Sequence, residues 1–121
     1  MSQSQEDYMK FIHKYGEGDY VSNKHISEGL LVAPSSVSEM ISRLDRDGLV
    51  DYRPYHGAKL TQRGQERAQA IIRKHLIWEY LLETKLGYAK DEVHDLAEVL
   101  EHATPADLAD RLAEFIEYPE D

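Results

Sequence analysis

Apolar side chains recur at helical spacing along most of this chain. Tyr8, Met9, Phe11, Ile12 and Tyr15 form a stripe that predicts a helix from Gln5 to Tyr15, ended by Gly16 and Gly18. Ser22 is placed to cap a short helix from Asn23 to about Gly29, with Ile26 and Leu30 on its buried side. Pro34 opens the next helix, whose inner face is Val37, Met40, Ile41 and Leu44 and whose end is followed by Gly48. The period then changes from helix to strand. Leu49 to Arg53 reads as a strand, Pro54-Tyr55-His56-Gly57 as a turn, and Ala58 to Leu60 as the returning strand. Thr61 caps a long helix from Gln62 to about Leu86, with Gly64 a weak spot near its start. A further helix is predicted from Asp91 to His102. Thr104 caps a last one from Pro105 to about Ile116, with Leu108, Leu112, Phe115 and Ile116 facing inward and Pro119 closing the chain.

Two short helices with a tight connection, followed directly by a hairpin, make a winged helix-turn-helix. The second helix offers Ser35, Ser36, Ser38 and Glu39 at its start, and the hairpin carries Arg53, His56 and Lys59. A helix of that kind fits the major groove, where hydroxyls contact bases or phosphates and Glu39 accepts from a cytosine amino group, while wing cations reach flanking phosphates. Arg43 and Arg46 can equally pair with Asp47 or Asp45 on the surface. The stretch from Ile71 to Leu82 is apolar on more than one side, so it needs two surfaces to hide against, which favours a homodimer.

The charge distribution supports this division. The chain of 121 residues has a net charge of −9, yet residues 1–74 carry 11 Lys+Arg against 10 Asp+Glu, whereas residues 75–121 carry 3 against 13. Between Ser35 and Lys74 the basic residues outnumber the acidic by 8 to 5, a surplus suited to facing phosphates. No apolar run is long enough to cross a membrane and the first residues are no signal peptide, so the chain is expected in the cytoplasm. The absence of cysteine agrees with a reducing compartment and excludes disulfides, thiolate metal sites and cysteine nucleophiles.

The predicted helix from Asp91 to His102 holds the most pointed chemistry. His94, Glu98, Glu101 and His102 fall at spacings of three and four and share one face, while Val93, Leu96, Ala97 and Leu100 turn elsewhere. Carboxylates so spaced repel one another and call for positive charge, which a divalent cation supplies most directly. The alternative is a solvated acidic face, against which the two histidines argue, because imidazole is the commonest metal ligand. One turn apart on the long helix, His75 and Glu79 can ligate a metal or simply hydrogen-bond. A lone Asp7 near the first helix's start suits the helix dipole as a cap or solvated group.

Taken in order, Glu6-Asp7-Tyr8, Pro34-Ser35-Ser36-Val37-Ser38, Leu44-Asp45-Arg46-Asp47-Gly48-Leu49-Val50, Leu60-Thr61, Arg73-Lys74-His75, Val93-His94-Asp95 and Glu98-x-x-Glu101-His102 resemble the diphtheria toxin repressor family in its manganese transport regulator branch. The resemblance spans almost the whole chain. It implies a mainly α protein with a winged helix-turn-helix DNA-binding domain over residues 1–74 and an all-α metal-binding and dimerisation domain over residues 75–121. It further implies a dimeric repressor that binds palindromic operator DNA when loaded with Mn2+ or Fe2+ and controls metal-uptake genes. By the same resemblance the primary metal site is Asp7, Glu98, Glu101 and His102, and a second site draws on His75, Glu79 and His94.

Iron-responsive members carry Met and Cys where this chain has Asp7 and Glu98, and carboxylates in place of sulfur favour the harder Mn2+. Binuclear manganese regulators place a Glu one turn after the first-helix Asp, where this chain has Lys10, so the second site is expected from His75, Glu79 and His94 instead. Larger members continue into an SH3-like domain. A chain stopping at Asp121 is expected to be a short or truncated member whose second site water completes.

Catalysis is the rival class. Helical di-iron centres use Glu-x-x-His pairs, of which this sequence has none, and it lacks a Gly-rich phosphate loop and a Gly-x-Ser-x-Gly elbow. A second rival is a winged-helix regulator that senses an organic ligand or a protein partner, with no metal switch.

Overall fold

The computed structural model describes residues 2–120; Met1 and the Asp121 named above lie outside the described residues. Six α-helices and one hairpin follow in order: α1 (Gln3–Gly16), α2 (Asn23–Leu30), α3 (Pro34–Arg46), β1 (Val50–Arg53), β2 (Gly57–Leu60), α4 (Gln62–Tyr80), α5 (Lys90–His102) and α6 (Ala106–Phe115). The chain divides into two compact units, residues 1–69 and 70–121, with the division inside α4.

In the first unit the sequence signals become caps. Ser2 forms a capping box with Gln5 at the start of α1, so the cap falls to that pair and Asp7 stands one turn further in. The Ser22 hydroxyl accepts from the His25 backbone N–H and opens α2. Pro34 occupies the first turn of α3, and Asp47 and Gly48 end it. Tyr8, Met9, Ile12, Ile26, Val37, Ile41, Leu44, Leu49, Val50 and Leu60 close into one core, which the α1, α2 and α3 stripes and the inner face of the hairpin share.

The wing is an antiparallel pair in which Val50 faces Leu60, Asp51 faces Lys59 and Arg53 faces Gly57. Side chains alternate across it. Val50, Ala58 and Leu60 are buried, while Asp51, Arg53 and Lys59 share the outer face. Val21 adds a bridge alongside, exchanging backbone hydrogen bonds of 2.8 and 2.9 Å with Ala58. Gly57 permits this approach, since a Cβ there would lie 2.0 Å from the Val21 carbonyl oxygen, and its φ is +103°.

Thr61 caps α4 by accepting from the Gly64 N–H at 3.1 Å and also donates to the Gly48 carbonyl at 2.7 Å. The long helix predicted to Leu86 is α-helical only to Tyr80, and Leu81–Lys85 forms a π-helical turn. There the Leu86 N–H reaches back five residues to the Leu81 carbonyl and the Thr84 hydroxyl donates to the Tyr80 carbonyl.

The second unit packs Ile77 on α4 against Ala109, Ala113 and Ile116, with Tyr80, Leu112 and Tyr118 alongside. Two expectations for α6 are corrected. Pro105, not Thr104, is its N-cap residue; the Thr104 hydroxyl instead donates to the Leu100 carbonyl and accepts from the Trp78 indole N–H. Leu108 and Phe115 point outward rather than inward, because Ala109 and Ala113 at spacing four define the buried stripe. Among the described residues no helix is long and apolar enough to cross a membrane.

Candidate metal centre and nucleic-acid interface

Within residues 70–121, α5 presents its ligand candidates at graded depth. Val93, Ala97 and Glu101 form a buried stripe at spacing four. A stripe of that spacing drifts about 40° per step around a helix of 3.6 residues per turn, and the drift carries Glu101 from the acidic face onto the apolar one. Its side chain is 0% exposed, against 63% for His94 and 36% for Glu98.

A buried carboxylate needs partners, and α4 provides one. His75 Nδ1 lies 2.7 Å from Glu101 Oε1, and His75 Nε2 lies 3.0 Å from Glu79 Oε2. The hydrogen bond to Glu101 raises the His75 pKa above its ordinary value, with the Glu79 charge adding to it, and both outweigh the opposing effect of burial. Glu98 Oε1 stands 3.9 Å from His75 Nδ1 and 3.5 Å from His94 Nε2. Glu101 Oε2 faces His102 Nε2 at 3.9 Å. The Trp78 to Thr104 hydrogen bond, 2.7 Å, fixes the far end of α5 against α4 and so sets this register.

Two donor sets result, both containing His75. One joins His75, Glu79 and His94, the other His75, Glu98 and Glu101, and in each the donor atoms lie within 4.8 Å of one another. Imidazole and carboxylate together suit a borderline to hard divalent cation and exclude the thiolate-rich centres. With Nδ1 engaged by Glu101 and Nε2 by Glu79, the His75 ring is held between two carboxylates; were a metal bound through Nε2, Glu101 would orient the ring as a carboxylate orients a ligating histidine. The residues present therefore fit a divalent metal. Asp7 belongs to the first unit, half-buried on α1 and one turn ahead of Lys10.

The first unit carries the other candidate surface. Ser35, Ser36, Ser38 and Glu39 are all exposed along the first turns of α3. Glu39 pairs with Arg43 at 3.5 Å, one turn on, so the partner of Arg43 is Glu39 rather than Asp45 or Asp47. Arg53 and His56 are exposed on the wing and Lys59 is half-buried. The His56 Nδ1 lies 3.1 Å from the Pro54 carbonyl, which holds the ring at the turn.

These two halves correspond to two family models. Residues 1–58 match the N-terminal DNA-binding domain of the iron-dependent repressors and residues 61–121 match the metal-binding and dimerisation domain. The chain belongs to the iron-dependent repressor family. It is 33% identical over 119 residues to the HTH-type transcriptional regulator MntR of Oceanobacillus iheyensis, covering 98% of this chain and 80% of that one. Among solved structures it resembles the manganese regulator SloR, with a TM-score of 0.80 and 39% identity over 98% of this chain and 56% of that one. It also resembles a manganese-dependent transcriptional repressor in complex with manganese, with a TM-score of 0.81 and 40% identity over 94% of this chain and 53% of that one. The chain thus spans about half the length of these solved regulators.

One residue that helical and strand periodicity did not single out, Tyr20 in the loop between α1 and α2, packs against the wing. The Tyr20 hydroxyl donates to Asp51 Oδ2 at 2.8 Å, and its ring lies under the Arg53 guanidinium at 5.6 Å and the Lys59 ammonium at 5.1 Å. Tyr20 therefore packs its ring against both wing cations. Residue spacing could not have found it, since it meets Asp51 across 31 positions.

Proposed function

We propose that this chain is a dimeric, Mn2+-activated transcriptional repressor, with Fe2+ as the alternative activator, that binds palindromic operator DNA in the cytoplasm and controls metal-uptake genes. It is a regulator and not an enzyme. Residues 1–74 read DNA, while residues 75–121 hold metal and pair the subunits. The observation that carries this reading is the buried His75 to Glu101 hydrogen bond at the meeting of two imidazole and carboxylate donor sets. Its relatives, manganese regulators among them, point the same way.

Asp7, Glu98, Glu101 and His102 are the proposed primary ligands, and His75, Glu79 and His94 the proposed second set. A bound divalent cation supplies the positive charge that offsets the crowded carboxylates. A cation that took ligands from both α1 and α5 would couple the DNA-reading unit to the metal-binding unit, and that coupling would be reciprocal. Moving from mostly incompetent to mostly competent takes roughly 5 kcal/mol of differential affinity. Ser35, Ser36, Ser38 and Glu39 read the major groove and Arg53, His56 and Lys59 contact phosphates. Exposed Leu76, Val99, Leu108 and Phe115 supply apolar surface for pairing with a second copy.

The test is binding of a labelled genomic fragment pool with Mn2+ in one arm and EDTA in the other. Enrichment of palindromic fragments only with Mn2+ is the expected outcome. Equal enrichment in EDTA would overturn the metal switch and leave a winged-helix regulator that answers to an organic ligand or protein partner.

A further inference from the structure

The hairpin turn is built around a residue that its geometry disfavours. The His56 N–H donates to the Arg53 carbonyl at 3.0 Å, closing a four-residue turn with Pro54 second and Tyr55 third. Tyr55 has φ = +68°. A proline followed by a left-handed residue is the type II arrangement, whose third position calls for Gly or Asn because an L side chain crowds the backbone there. Among the described residues, three other non-glycine residues share the left-handed region, Glu17, Leu31 and Glu117, and each lies at the end of a helix. Tyr55 instead lies at the tip of a hairpin.

Nothing within the chain rewards this choice by burial. Tyr55 is 104% exposed, the most exposed of the large hydrophobic residues described. A bulky aromatic group in an unfavourable backbone position, standing wholly in solvent, destabilises the folded monomer relative to glycine. Backbone strain that the chain's own packing does not explain clusters at functional sites. Its neighbours narrow the partner. Arg53 and His56 flank it in the turn and Lys59 stands on the return strand, so the tip offers cations around an aromatic ring with a hydroxyl donor at its end. Those groups match a sugar-phosphate backbone, where the ring packs on deoxyribose and the hydroxyl donates to a phosphate oxygen.

We infer that Tyr55 is a DNA-contacting residue, the wing-tip anchor that holds the hairpin against the sugar-phosphate backbone flanking the recognition-helix site. The inference rests on the DNA-binding reading above. As a neutral group, Tyr55 adds affinity without releasing a counterion of its own, which separates it from Arg53 and Lys59.

The experiment compares the full chain with Tyr55→Gly, Tyr55→Asn and Tyr55→Phe, loaded with Mn2+, against a fluorescein-labelled duplex recovered by the wild-type protein from the genomic pool. Thermal unfolding is measured alongside. Tyr55→Gly and Tyr55→Asn should melt at or above the wild-type temperature, yet bind the duplex about tenfold more weakly, the scale of a single hydrogen-bonded side chain. The slope of log K against log salt should stay that of the wild type. Tyr55→Phe should retain the ring's share and lose only the hydroxyl's. Wild-type affinity in Tyr55→Gly would overturn the inference, and so would a lower melting temperature in both Tyr55→Gly and Tyr55→Asn, which would make the residue structural. Failure of the wild-type protein itself to retain any duplex with Mn2+ would overturn the DNA-binding reading, and the inference with it.

Discussion

His75 Nδ1 and Glu101 Oε1 are buried together 2.7 Å apart, joining the two helices that carry every ligand candidate of the second unit. The pair does two things at once. It gives a partner to Oε1 of a carboxylate that the drift of the α5 stripe has carried into the interior, and it leaves the other ring nitrogen of His75 toward Glu79 and His94. A change at Glu101 therefore reaches both donor sets. Glu101→Ala should lower the unfolding free energy in EDTA by about 3 kcal/mol, the usual cost of removing one member of a buried pair. Glu101→Gln keeps an acceptor for His75 and should cost about 1 kcal/mol. Denaturant titration of the two variants checks the order, and isothermal titration with Mn2+ should show both losing affinity. Equal stabilities would contradict the pairing.

His94 tests the second donor set without disturbing the core. Its side chain is 63% exposed, so His94→Ala should leave stability in EDTA within about 0.5 kcal/mol of the wild type. Metal stoichiometry should fall by one ion per chain, read by equilibrium dialysis with Mn2+. An unchanged stoichiometry would remove His94 from the ligand set.

Gly64 reverses an ordinary rule. In an exposed helix interior, Gly→Ala stabilises by roughly 0.5–1 kcal/mol. At Gly64 a Cβ would lie 2.0 Å from the Leu49 carbonyl oxygen, where the first turn of α4 crosses the approach to β1. Gly64→Ala should therefore destabilise by about 1–3 kcal/mol, as overpacking does. Thermal melts settle the sign.

That glycine also shows where the sequence stops being informative. Periodicity gave the helices and the hairpin because Met9, Ile12, Val37, Ile41 and Leu44 each sit on a stripe that local spacing defines. Local spacing cannot show that Gly64 is needed for a close approach to Leu49, that Tyr20 lies under Lys59, or that Thr104 serves Trp78 instead of α6. Each of these depends on residues far apart in the chain. Spacing did place His94, Glu98, Glu101 and His102 on neighbouring positions of one helix, but burial of Glu101 was decided by how α4 and α5 pack within residues 70–121. The π-helical turn at Leu81–Lys85 has no apolar-pattern signature and interrupts what reads as a continuous helix.

The acid sensitivity of the C-terminal segment follows from Arg73. Its guanidinium donates two hydrogen bonds to Glu120, each 2.7 Å, and one to Asp110 at 2.8 Å. The hydrogen bonds from Arg73 hold the Glu120 carboxyl below the ordinary carboxylate range. A group whose folded pKa is depressed contributes stability above its unfolded pKa and loses it as pH falls through the folded value. The pair is partly exposed and screened, so Glu120→Gln should cost less than about 1 kcal/mol at neutral pH. The difference between wild type and variant should shrink steadily below about pH 4, where the unfolded carboxyl takes up its proton. A difference independent of pH between about 7 and about 3 would mean that charge contributes nothing there.

Tyr20 gives the electrostatic counterpart of the wing. Arg53 and Lys59 rest on its ring while its hydroxyl is engaged by Asp51, so the ring sets where two positive charges stand relative to α3. If those cations meet phosphates from that position, removing the ring lets both relax into solvent and neutralise phosphates less often. Each phosphate left without its cation lowers the slope of log K against log salt by about 0.9 for duplex DNA. Tyr20→Ala should accordingly flatten the salt dependence by up to about 2 and weaken all sequences alike, whereas Tyr20→Phe, which keeps the aromatic face and loses only the Asp51 hydrogen bond, should stay close to the wild-type slope. Fluorescence anisotropy across a salt series, with operator and random duplexes side by side, makes the comparison. A loss confined to the operator with an unchanged slope would mean that Tyr20 acts through the recognition helix and not through the wing cations.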